Sequence, residues 1–194
     1  MNNFIKIPMI NRKFGGGTFN VDASFDLCLT GVRMNFSETP VKIDTGCDLS
    51  TIPLGKTGYP YLKELKKRDI LNNVDSTLSF GVESGGRPYK KPVTLQEKMD
   101  CSAIKFRHKI ENLTICGMPL GSVSIFVNYD RTSNILIGMD ILKTWDIHIG
   151  KIKSGETILL ACPYNQINDE YLLELERTFK LGTIVSSANV RNEI

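Results

Sequence analysis

Apolar and polar residues alternate from Phe19 to Leu29, which is the period of a half-buried strand. Asn35 to Pro40 is rich in bend-forming residues and predicts a turn, after which Val41, Lys42 and Ile43 resume a strand that ends at Asp44. Tyr61 to Leu71 mixes leucines and lysines at helix-like spacing and predicts a short surface helix or an irregular insert. Thr77 to Val82 and Tyr89 to Leu95 flank Gly85 and Gly86, the pattern of a hairpin with a glycine tip. Two further strands are predicted over Ala103 to Ile115 and Val123 to Asn128, with a turn from Gly117 to Gly121 between them. Asn134 to Ile137 is another apolar run, Gly138 then opens a helical turn through Met139 to Trp145, and Ile147 to Leu160 predicts strand, turn and strand.

The period changes after Pro163. Ile167, Tyr171, Leu172, Leu175 and Phe179 recur every three or four residues among acidic neighbours, predicting an amphipathic helix that Gly182 is placed to end. The chain thus divides into an N-terminal segment (1–18) containing Gly15, Gly16 and Gly17, an all-β body (19–162), and a helical appendage with a polar tail (163–194).

Composition narrows the classes. With 194 residues, 41% hydrophobic and 23% charged, the chain can bury a real core. Its 24 basic and 21 acidic residues leave a net charge of +3, and only Lys63 to Arg68 and Arg87 to Lys91 concentrate positive charge, so no nucleic-acid partner is expected. The five cysteines have neither disulfide-framework nor zinc spacing, so no metal or cofactor is called for and a reducing cytoplasm suits them. No run approaches the roughly 18–20 apolar residues of a membrane helix, and the first ten residues lack the pattern of an export signal. Asn112-Leu113-Thr114 matches a glycosylation sequon that has no meaning without export.

The candidate chemistry lies at Asp44-Thr45-Gly46, a carboxylate at the mouth of a strand followed by a glycine that permits close backbone approach. Such a triplet arises by chance in about one chain in ten of this length, and alone it reads as an ordinary turn. Hydrolysis of a peptide bond without metal or covalent nucleophile needs two carboxylates sharing one proton, one acting as base and the other as acid. His108 and His148 have no accompanying Ser or Cys nucleophile motif, and Gly15 to Thr18 lacks the Gly-Lys-Ser/Thr ending of a phosphate loop.

Val41 to Gly46 followed by Leu49-Ser50-Thr51-Ile52, together with the later Ile135-Leu136-Ile137-Gly138-Met139-Asp140-Ile141-Leu142, resembles the two signature segments of the retropepsin-like aspartic proteases. The resemblance runs in order over Phe19 to Leu160 and is sharp at those two motifs. It implies a closed β domain with a flap hairpin, one short helix after the second motif, and an endopeptidase with no cofactor. It assigns Asp44 as the catalytic carboxylate, Thr45 and Gly46 as support of the active-site loop, Ile137 and Gly138 as the second motif, and Gly85 and Gly86 to the flap. An extended peptide would lie between flap and aspartates as an added strand.

Cys47 stands where the family has alanine or serine, the interval from Gly46 to Gly138 is longer than in compact members, and the helix after Cys162 is additional. Asp44 is the only aspartate followed by Thr-Gly or Ser-Gly, so a symmetric pair of acids requires a homodimer. Asp140 is a rival second acid, but an aspartate in the first turn of a helix more commonly serves the helix dipole. Self-processing within either end segment is a further expectation. The alternative is a retropepsin-like dimerisation or peptide-binding module with little or no proteolysis.

Overall fold

In the computed structural model the described residues are 3–11, 17–55, 57–72, 92–179 and 185–186. The hairpin expected around Gly85 and Gly86 lies outside them. The first long hairpin is β3 (Gly17–Leu29) with β4 (Val32–Ile43), joined at Thr30 and Gly31, which both adopt positive φ. Phe19, Val21, Ala23, Phe25, Leu27 and Leu29 are all buried, so the alternation in the sequence becomes the inner face of β3. The turn expected over Asn35 to Pro40 is instead strand. Its polar residues mark a bulge, where the β3–β4 register slips between Ala23 and Phe25, Glu38 takes φ 45°, and the Glu38 N–H donates to Ser24 Oγ at 2.9 Å.

A second hairpin joins β6 (Phe106–Ile115) to β7 (Met118–Asn128) through Cys116 and Gly117, also at positive φ, so its turn is shorter than the five-residue one expected. Between the hairpins run the short strands β5 (Thr51–Pro53) and β8 (Ile135–Ile137). Strand β8 lies parallel to β4, with Ile137 opposite Ile43, and β5 lies parallel to β7. The order β3-β4-β8-β5-β7-β6 closes by pairing of β6 with β3, so six strands form a ring without a free edge. The protein is accordingly mostly β, a closed barrel with a few short helices. The small strand β2 (Ile10–Asn11) extends the ring sheet beside β3.

A four-stranded antiparallel sheet holds the chain ends in the order β1 (Ile5–Pro8), β10 (Thr157–Pro163), β9 (Trp145–Lys151), β11 (Val185–Ser186). Ile5 is buried in the main core. Helix α4 (Asp169–Phe179) buries Tyr171 and Phe179 against Leu160 and Cys162, while the Tyr171 hydroxyl donates to Asp146 Oδ2 at 2.9 Å. The 3–4 residue period past Pro163 is thus used to cover this sheet. Its stripe is narrower than the spacing implies, because Ile167 and Leu172 stay exposed.

Helix α1 (Leu62–Asn72) is the short helix expected there, exposed along Lys63, Glu64, Lys67 and Arg68 and buried on its other side at Leu65, Lys66, Asp69 and Ile70. Lys66 and Asp69 are buried at 2% and 1% exposure. Lys66 Nζ donates to Met99 O and Cys101 O and pairs with Asp130, while Asp69 accepts from the Tyr129 hydroxyl and contacts His108 Nε2. Buried charges are tolerated when so satisfied, and these tie α1 to the barrel and to α2 (Leu95–Asp100). Leu95 opens α2 rather than closing a strand, because Thr94 and Glu97 form a capping box.

Candidate active site

Strand β4 turns Val41 and Ile43 into the core, and its period of two places Lys42 and Asp44 together on the other face. The Asp44 N–H donates to Ile137 O at 3.0 Å, extending the parallel β4–β8 ladder by one bond. The chain then turns at once. Asp44 O accepts from the Cys47 N–H at 3.1 Å, and Asp44 Oδ1 accepts from the Gly46 N–H at 3.2 Å. The other carboxylate oxygen, Oδ2, accepts from Lys42 Nζ at 2.6 Å, with both side chains about a quarter exposed, 22% for Lys42 and 25% for Asp44.

The second motif grips the loop from below. Met139 N–H donates to Cys47 O at 2.8 Å and Asp140 N–H to Asp48 O at 3.1 Å. A Cβ on Gly138 would lie 2.6 Å from Cys47 O and 2.8 Å from Leu49 C, so no side chain fits there. The glycine of the second motif is therefore demanded by close backbone packing. At Gly46 a Cβ would meet only Asp44 Oδ1, at 3.5 Å, an ordinary contact, so nothing within one chain demands glycine there.

Asp140 lies in the first turn of the short helix α3 (Met139–Leu142) expected after Gly138. Its Oδ1 accepts from the Ser50 N–H at 2.8 Å, the Ser50 hydroxyl at 2.5 Å and the Ile141 N–H at 3.0 Å. Ser50 Oγ in turn accepts from the Gly138 N–H at 2.8 Å. Asp140 is thus engaged with Ser50 and with the Ile141 N–H of its own helix, and it makes no hydrogen bond to Asp44.

Two neighbours escaped the sequence reading. Lys42 was legible in principle, because strand residues two apart share a face. Ser50 was not, because its role depends on a strand 88 residues away in the chain. Cys47 donates its thiol hydrogen to Leu49 O at 3.2 Å. Burial lowers the Lys105 ammonium below its ordinary value, while the nearby Cys47 acts in the opposite sense. His108 and His148 lie with Asp69 and Asp146 respectively, away from the Asp44 corner. Among the described residues no group of three or more His, Cys, Asp or Glu side chains is arranged to hold a metal ion, and no helix is long and apolar enough to cross a membrane. All five cysteines are free thiols.

No protein-family model matches the sequence, and no curated protein matches it. Among solved structures the chain is similar to a retropepsin-like aspartic protease from Rickettsia conorii, with 13% identity, 82% of this chain and 94% of that chain covered, and a TM-score of 0.36. A superposition that loose assigns no chemistry to this chain, so the functional reading has to rest on the corner itself.

Proposed function

We propose that the protein is an aspartic endopeptidase that acts as a homodimer, each copy contributing Asp44. The observation that carries the reading is the way two motifs distant in sequence build one corner. Gly138 lies against the Cys47 and Leu49 backbone, Ile137 accepts from the Asp44 N–H, and the carboxylate is left partly exposed on a hydrogen-bonded loop. One carboxylate is half of the machinery such hydrolysis requires, and Asp140 is committed elsewhere, which favours a second copy as the source of the other acid.

In this mechanism the ionised Asp44 of one copy takes a proton from water as the oxygen attacks the scissile carbonyl carbon. The protonated Asp44 of the other copy delivers its proton to the carbonyl oxygen. Collapse of the tetrahedral diol breaks the C–N bond as one Asp44 passes its proton to the leaving nitrogen and a diol hydroxyl returns its proton to the other Asp44, which leaves one proton on the pair. Thr45 and Gly46 would support the loop where two copies meet. The segment containing Gly85 and Gly86 would close over an extended peptide, and either end segment of the chain would be a site for self-processing.

The test is cleavage of a mixed peptide library from acidic to neutral pH by the wild type and by Asp44→Asn, with light scattering to read the oligomer. Cleavage by the wild type alone, from a dimer, supports the proposal, and equal cleavage by both forms removes it. The ion pair between Lys42 and Asp44 favours a second reading, a peptide-binding module with slow or no cleavage, because it occupies the carboxylate. Library peptides retained without being cut would select that reading.

A further inference from the structure

Lys42 Nζ donates to Asp44 Oδ2 at 2.6 Å and so occupies one oxygen of the candidate catalytic acid. Two copies of the Asp44 corner would bring two such lysines to the pair, each on a carboxylate oxygen that the proposed chemistry uses. Lys42 therefore opposes the proposed chemistry for as long as its ammonium stays on Asp44. Directly across the sheet the side chain faces no anion, and the nearest carboxylate in register is the diagonal Asp22 on β3. Its neighbours in register are Asn20 on β3 and Leu136 on β8, both uncharged, and among the described residues its ion pair is with Asp44. Its stem emerges on the same face as the carboxylate, two residues away, so the ammonium reaches whatever lies directly over the acid.

We propose that Lys42 is a specificity-determining residue that selects peptides with an acidic side chain next to the scissile bond. This rests on Asp44 being the catalytic acid. A substrate laid extended across the corner would place a side chain flanking the cut within reach of Lys42, and a Glu or Asp there would draw the ammonium off the catalytic pair. One movement then does two things: it holds the substrate through a charge-assisted hydrogen bond, and it frees the Asp44 oxygen that the lysine had occupied. A neutral side chain supplies no replacement anion, and a basic one adds to the positive charge. The selectivity should accordingly appear in kcat as well as in KM, since binding and release of the acid are coupled.

The test uses the full chain and sets of peptides identical except for Glu, Gln or Lys at each position flanking the cut, with kcat and KM measured for each. For the wild type we expect Glu to exceed Gln by about tenfold in kcat/KM, the size of one partly shielded charge pair, with Lys lower still. Lys42→Arg should keep the order, Lys42→Met should bring the Glu to Gln ratio to about one, and Lys42→Glu should favour Lys. Lys42→Gln replaces the Met variant if circular dichroism shows that the latter is unfolded. A wild-type ratio near one, or an unchanged ratio in Lys42→Met, overturns the inference. So does uniform acceleration of all peptides by Lys42→Met, which would make the lysine a brake and not a selector. Asp44→Asn is measured alongside. If it is silent, a failed ratio counts against Lys42 alone; if it cleaves as the wild type does, the protease reading itself falls.

Discussion

Asp44 and Asp140 follow neighbouring parallel strands, β4 and β8, the first at a tight turn and the second in the first turn of a short helix, and the two carboxylates are held in different ways. Asp140 Oδ1 collects three donors, two from Ser50 and one from the Ile141 backbone, and its Oδ2 is buried with no hydrogen-bond partner among the described residues. Two of those donors are backbone amides that cannot leave without unfolding the loop. Asp44 has one backbone donor, from Gly46, and its other oxygen meets the end of a flexible lysine. The first acid is a bracket holding α3 to the loop before β5. The second can exchange partners, which is what a reacting group needs.

The comparison can be broken most decisively at Asp44. Asp44→Asn should lower peptidase activity at least about a thousandfold, since the residual pair cannot share a proton. It should fold normally, with a thermal midpoint within a few degrees of the wild type. Gly138→Ala attacks the packing between the two acids. With a backbone oxygen 2.6 Å from the new carbon, the loop has to move, and we expect about 3 kcal/mol of lost stability in denaturant unfolding together with lost activity.

Asp140→Ala should cost about 2–3 kcal/mol, because it strands the Ser50 amide in a buried setting, whereas Asp140→Asn keeps an acceptor oxygen and should cost about half as much. Loss of activity in both, in proportion to stability, would fit a bracket. Loss of activity in Asp140→Asn at full stability would make it a reacting acid and erase the contrast.

The smallest effect concerns carboxylates elsewhere. Hydrogen bonds from Arg33, Asn35 and Asn112 hold the Asp26 carboxyl well below its ordinary value, and Lys6 does the same more mildly for Glu174 on α4. Both folded values are depressed, so the stability they contribute is complete above the unfolded carboxylate range, near about 4. It is lost as pH falls through the folded values. Thermal melts from pH 6 to pH 2 should therefore slope downward on the acid side, and Asp26→Asn should flatten that slope slightly. An unchanged slope would show that neither group governs acid unfolding.

Much of the body was readable because the information is local. The alternation in Phe19 to Leu29 reports which face is buried, and Gly138 followed by Met139-Asp140-Ile141-Leu142 reports a strand leading into a helix. The Thr94–Glu97 capping box was equally local, but the strand-like approach to Leu95 obscured it. The bulge at Glu38 looked like a turn because bend-forming residues serve both, and only the register with β3 distinguishes them.

The sequence by itself determined the position of the candidate acid, the β character of the body and the amphipathic helix after Pro163, all of which follow from residue spacing along a few turns or one strand. Tertiary structure decided how the six strands close into a ring, why Gly138 tolerates no side chain, and which charges are buried. Lys66 and Asp69 are charged residues of a short helix, and they are buried because Met99, Cys101, His108, Tyr129 and Asp130 come to them from elsewhere in the chain. The physical reason is that desolvation and hydrogen bonding depend on atoms brought together across long stretches of chain, and a local window contains none of those partners.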